Sequence, residues 1–87
     1  MNRYYYEDGI ENSKHINVRR LLHRLDGPAI EYSNGTKCWY QHDKLHRLDG
    51  PAIEYHNGTK RWYINDEPVI VDNNEQFLRL MKLKAFL

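Results

Sequence analysis

Apolar and polar positions follow one another in the same order twice along the chain, 23 residues apart. Residues 22–44 read LHRLDGPAIEYSNGTKCWYQHDK and residues 45–67 read LHRLDGPAIEYHNGTKRWYINDE. The copies differ only at Ser33/His56, Cys38/Arg61, Gln41/Ile64, His42/Asn65 and Lys44/Glu67. A fixed short period of this kind marks a supersecondary unit that buries its apolar side against its neighbours. Within the first copy, residues 28–32 and 36–41 are rich in β-branched and aromatic side chains and predict two strands. Asn34-Gly35, with Asn57-Gly58 in the second copy, predicts a two-residue type I′ hairpin turn with positive φ at both residues. That turn sets Ile30 opposite Trp39, Glu31 opposite Cys38 and Ala29 opposite Tyr40. Alternation then places Ile30, Tyr32 and Trp39 on the buried face, joined by Ile64, with Ala29, Glu31, Cys38 and Tyr40 on the other. The same register pairs Glu54 with Arg61, an exposed ion pair worth under about 1 kcal/mol.

Between the hairpins, His23, Arg24, Asp26 and Gly27 recur as His46, Arg47, Asp49 and Gly50, each set followed by proline. Asp-Gly-Pro is a turn signal, with the glycine free to take positive φ. The recurring His and Arg are expected to hydrogen-bond backbone carbonyls or the turn aspartate. At the N-terminus, Tyr4-Tyr5-Tyr6-Glu7-Asp8-Gly9 echoes Trp39-Tyr40-Gln41-His42-Asp43, which predicts a degenerate half-repeat over residues 1–21. A strand is expected around residues 15–19, with Ile16 and Val18 pointing one way. After residue 67 the chain continues extended through 68–71. Asp72-Asn73-Asn74 supplies N-cap chemistry and residues 75–87 predict a helix. Its apolar arc comprises Phe77, Leu80, Met81 and Leu87, widened by Leu78 and Leu83, with Arg79 and Lys82 facing away. The expected fold is a single, mainly β domain: an antiparallel β-hairpin repeat sheet with a short C-terminal α-helix.

Composition narrows the functional classes. A length of 87 residues supports one core. A net charge of +1 gives no global attraction to polyanions. The single cysteine, Cys38, forms no intramolecular disulfide, and no apolar run approaches the roughly 18 residues of a membrane span, so a cytoplasmic location is expected. His23, Arg24 and Asp26 resemble a general-base arrangement, but they are duplicated with the repeat, and a catalytic site needs one copy. Cys38, His42 and His46 lie at four-residue intervals, which suit a helix and not a hairpin, so neither metal nor cofactor is expected.

Binding is the remaining class. Lys37, Lys60 and Arg61 beside Tyr40 and Tyr63 form a candidate strip for single-stranded nucleic acid, opposed by Glu31 and Glu54. The Lys-containing C-terminal segment is a weak candidate for a lipid surface. Tyr, Trp and Arg are the usual anchors of protein interfaces, which makes Trp39, Tyr40, Arg61, Trp62 and Tyr63 the expected contact set for a protein partner. The C-terminal helix is the alternative surface, and an open sheet edge is a route to a homodimer.

The unit H-R-L-D-G-P-A-I-E-Y-x-N-G-T-K-x-W-Y resembles the MORN (membrane occupation and recognition nexus) repeat, and a MORN-like variant of small bacteriophage and giant-virus proteins. The shared points are the period, the Asn-Gly turn, the aromatic pairs Trp39-Tyr40 and Trp62-Tyr63, and the turn glycines Gly27 and Gly50. The unit departs from the standard one at Ala29 and Ala52, where a second glycine is usual. The resemblance spans residues 22–67 and implies an elongated sheet of side-by-side hairpins, in a family linked to dimerisation, scaffolding and lipid binding. Likeness to small phage accessory proteins implies a non-enzymatic inhibitor of a host protein or defence complex.

Overall fold

The computed structural model describes residues 2–7 and 21–85. The strands are β1 (Arg3–Tyr4), β2 (Ile30–Glu31), β3 (Lys37–Cys38), β4 (Tyr40–Gln41), β5 (Lys44–Leu45), β6 (Ile53–Glu54), β7 (Lys60–Ile64) and β8 (Glu67–Val69), followed by helix α1 (Asn74–Ala85). Six of them form an antiparallel sheet in the order β1-β2-β3-β6-β7-β8, and β4 pairs with β5. The fold is therefore mainly antiparallel β with one C-terminal helix, as the repeat pattern led us to expect. Only Trp39 separates β3 from β4, so residues 37–41 act as one long strand. Its first half pairs with β2 and β6, and its second half folds back on β5. The equivalent strand β7 runs unbroken, pairing first with β6 and then with β8. The expected strand at 15–19 and the Leu87 end of the helix lie outside the described residues.

The hairpin register differs from the sequence expectation by one residue. Ile30 faces Cys38 and Glu31 faces Lys37. Tyr32 N–H donates to the Thr36 carbonyl at 2.9 Å, leaving three residues, Ser33, Asn34 and Gly35, in the loop. Gly35 and Gly58 have φ of 97° and 91°, whereas Asn34 and Asn57 are not in the positive-φ region. The asparagines act through their side chains: Asn34 Oδ1 accepts the Thr36 N–H at 2.9 Å, and Asn57 Oδ1 the Thr59 N–H at 3.0 Å. This is a type I turn closed by a left-handed glycine, the three-residue alternative to a type I′ loop. The type I′ turns lie elsewhere, at His42-Asp43 (φ 51°, 66°) and Asn65-Asp66 (φ 49°, 68°). Gly27 and Gly50 have no positive φ either.

A one-residue slip moves every side chain of the second strand to the other face. Ile30, Tyr32, Cys38 and Tyr40 therefore share one face, and Ala29, Glu31, Lys37 and Trp39 share the other. Arg61 stands opposite Ile53, and the expected Glu54–Arg61 pair does not form. The N-terminal half-repeat is likewise displaced by one. Arg3 and Tyr4 pair with Glu31 and Ile30 as Lys37 and Cys38 pair with Glu54 and Ile53, so Tyr5, not Tyr4, occupies the place of Trp39.

Helix α1 closes the C-terminal end. Asn73 is its N-cap, its Oδ1 accepting the Gln76 N–H at 2.9 Å, while Gln76 Oε1 accepts the Asp72 N–H at 2.9 Å. Among the described residues of the predicted arc only Phe77 is fully buried, set against Trp62 with ring centroids 6.4 Å apart. Met81 is half-buried, whereas Leu78, Leu80 and Leu83 are exposed. Among the described residues no helix is long and apolar enough to cross a membrane.

Candidate functional site: an open tyrosine face on an arginine-clamped sheet

The recurring arginine is the clamp of each unit. Arg47 Nε donates to Asp49 Oδ1 at 2.9 Å, and its Nη1 donates to the Pro51 carbonyl at 3.1 Å and to Glu54 Oε2 at 2.9 Å. The guanidinium lies over the Trp39 ring, 3.8 Å from its centroid. Arg24 repeats every contact on Asp26, Pro28 and Glu31, lying 3.9 Å from the Tyr5 centroid. Burial works against the Arg24 charge, but its hydrogen bonds to Asp26 and Glu31 outweigh it and hold the guanidinium above its ordinary pKa. The need for glycine follows from this clamp. A Cβ at Gly50 would stand 2.8 Å from Arg47 Cζ, and one at Gly27 3.0 Å from Arg24 Cζ.

The recurring histidine is a staple. His23 Nδ1 accepts the His42 N–H at 3.0 Å, and His46 Nδ1 accepts the Asn65 N–H at 3.1 Å. Beside each staple the turn aspartate bonds back: Asp43 Oδ1 accepts the Leu22 N–H and Asp66 Oδ1 the Leu45 N–H. Each type I′ turn is thus tied to the chain that enters the same unit's arginine turn. Accepting at Nδ1 requires an imidazole unprotonated there, and burial pushes His46 below its ordinary pKa. The unfolded chain then binds the proton more readily, so this contribution is complete above about pH 6.5 and declines as pH falls through that value. Urea midpoints are expected to fall between pH 7 and 5.5, with a smaller fall in His46→Gln, which is weaker at pH 7 but has no proton to gain.

The two sheet faces are chemically different. One carries Arg3, Glu31, Lys37, Glu54 and Lys60 in successive register, a ladder of alternating charge. Trp39 and Trp62 lie on this face by alternation. Trp39 is covered by Arg47, and Trp62 is 7% exposed beneath α1, with its Nε1–H donating to Asn74 Oδ1 at 3.0 Å. The opposite face carries Tyr4, Tyr6, Tyr32, Tyr40, Tyr55 and Tyr63 with Arg61, and Ile30 and Cys38 are buried among them. Tyr32 and Tyr55 are 37% and 40% exposed, Arg61 is exposed, and Tyr40 and Tyr63 are half-buried. Burial pushes the Tyr40 phenol up to about 12, so it stays neutral at physiological pH.

Of the five expected contact residues, Tyr40, Arg61 and Tyr63 come together on the tyrosine face. Trp39 and Trp62 are separated from them by the sheet and engaged in packing. Lys37 and Lys60 also lie across the sheet from Tyr40 and Tyr63, which splits the expected basic and aromatic strip. Tyr32 and Tyr55 were missed as contacts because the predicted register turned Tyr32 inward; the correct loop length would have found them.

Cys38 is buried, and desolvation raises its pKa, holding it as a thiol. It does not group with His42 and His46; among the described residues, the ligating atoms that do group are those of Glu7, His23 and His42. Compared with known proteins, the chain matches no family model, no curated protein and no solved structure.

Proposed function

We propose that this chain is a non-catalytic, MORN-like binding module whose tyrosine face docks on a protein partner. The observation that carries the reading is a tyrosine-rich sheet face opposite the side on which α1 packs, with Tyr32, Tyr55 and Arg61 exposed on it. Tyrosine contributes large, rigid contact area with a polar tip, and with arginine it dominates the energetics of protein interfaces. The charge ladder favours protein over nucleic acid, since its lysines alternate with glutamates and offer no track for a phosphate backbone. Pro68 in β8 removes a backbone donor at that sheet edge, which disfavours strand-to-strand self-association there. The size of the chain and its phage-like repeat make inhibition of a host protein or defence complex the role we assign to this docking.

A tagged pull-down from bacterial lysate, divided into nuclease-treated and untreated halves and read by mass spectrometry, tests the proposal. A stoichiometric protein in both halves is the expected result. Capture that vanishes with nuclease would transfer the function to nucleic acid, and an empty pull-down would remove the protein-binding reading.

A further inference from the structure

We infer that Glu7, His23 and His42 form a binding site for a divalent transition-metal ion such as zinc. Each residue offers one ligand atom, and the three atoms lie within 4.8 Å of one another. Two imidazoles and a carboxylate are a donor set that suits zinc, with water completing the coordination. The backbone holds the group together from three directions. Glu7 is fixed where its N–H donates to the Leu21 carbonyl at 2.9 Å, just after Tyr6 bridges to Leu22. His23 and His42 are joined through the staple, with ring centroids 4.6 Å apart. The Glu7 carboxylate already lies against His42 Nδ1.

The repeat supplies an internal control. The positions equivalent to Glu7, His23 and His42 in the next unit are Gln41, His46 and Asn65, with the same staple from Asn65 N–H to His46. One unit therefore holds three good ligands where its neighbour holds one, on closely matching backbones: φ is 51° at His42 and 49° at Asn65. His42/Asn65 is one of only five differences between the copies.

Coordination requires two local adjustments. Ligand atoms around zinc sit about 3.4 Å apart, given bonds of about 2.1 Å, so His23 must draw closer while Glu7 and His42 move apart. Glu7 and His42 are exposed, and their mutual contact must open to admit the ion between them. His23 now directs its Nδ1 lone pair at the His42 amide, and a neutral imidazole has only one lone pair. Zinc at His23 therefore replaces that amide bond, releasing an N–H on an exposed residue to water. The ion would clip the N-terminal strand to the first type I′ turn.

The test is calorimetric titration of zinc into the full-length chain without a histidine tag, alongside NMR of the backbone amides. The expected result is one ion per chain, with the His42 amide resonance moving and the Asn65 resonance staying in place. His42→Asn copies the second unit, so the fold tolerates it, and it should weaken binding by more than the about tenfold that even supporting residues of metal sites contribute. Gln41→Glu with Asn65→His should install a second site and raise the stoichiometry to two. A wild-type chain that binds no zinc, a His42→Asn chain that binds it equally well, or a double variant that still takes one ion would overturn the inference.

Discussion

Replacing Phe77 with alanine is expected to remove about 3–5 kcal/mol of stability, the range for deleting a buried aromatic ring. Small domains are stable by only about 5–15 kcal/mol, so this is a large share of the total. Phe77 is wholly buried, the one α1 side chain that is among the described residues; its ring meets Trp62, whose indole is also held by Asn74. A 12-residue helix is marginal in water without such packing. Loss of helical circular dichroism should therefore accompany the fall in urea midpoint. Leu83→Ala provides the contrast. Leu83 is 64% exposed, and its removal should change stability by less than about 0.5 kcal/mol.

The second large effect belongs to Arg47. Arg47→Ala removes three hydrogen bonds and the stack on Trp39, and leaves half-buried Glu54 without its cation. Discounted for partial solvent access, the expected loss is about 2–3 kcal/mol in urea denaturation. Arg47→Lys keeps the charge but lacks the planar fork, and should recover less than half of the loss. Arg24→Ala breaks the same contacts with Tyr5 in place of Trp39, and a cation stacks less strongly on tyrosine than on tryptophan. Its cost should be the smaller of the two. An equal cost would show that the ring contributes nothing beyond the hydrogen bonds.

These effects mark what the sequence does and does not disclose. The hairpin array was legible because identical residues recur at one period, and the helix cap because Asp72-Asn73-Asn74 is short-range chemistry. The register was not, because Asn-Gly fits either a two-residue turn or the last two positions of a three-residue turn. Local propensity does not choose between them. The clamp does: Arg47 reaches Glu54 and Trp39 together because both lie on one face, and the type I′ register would put Glu31, the counterpart of Glu54, on the face opposite Trp39. That error propagated to the candidate site, grouping Trp39 with Ile30 and turning Tyr32 inward; Lys37 and Tyr40, three residues apart on one strand, lie on opposite faces in either register. The helix arc failed differently. Phe77, Leu80 and Leu83 look alike in the sequence, and only the position of Trp62 at the end of the sheet selects Phe77 for burial.

The division of the sheet into a clamped face and an open tyrosine face is most directly tested by affinity for the captured partner. Binding would be measured for two variants whose circular dichroism matches the wild type, Tyr55→Ala/Arg61→Glu on the tyrosine face and Lys37→Glu/Lys60→Glu on the charged face. The account predicts at least about a tenfold loss for the first pair, as expected for exposed interface anchors, and near wild-type affinity for the second. Retained binding in the first pair with loss in the second would contradict it, placing the contact on the face of the arginine clamps.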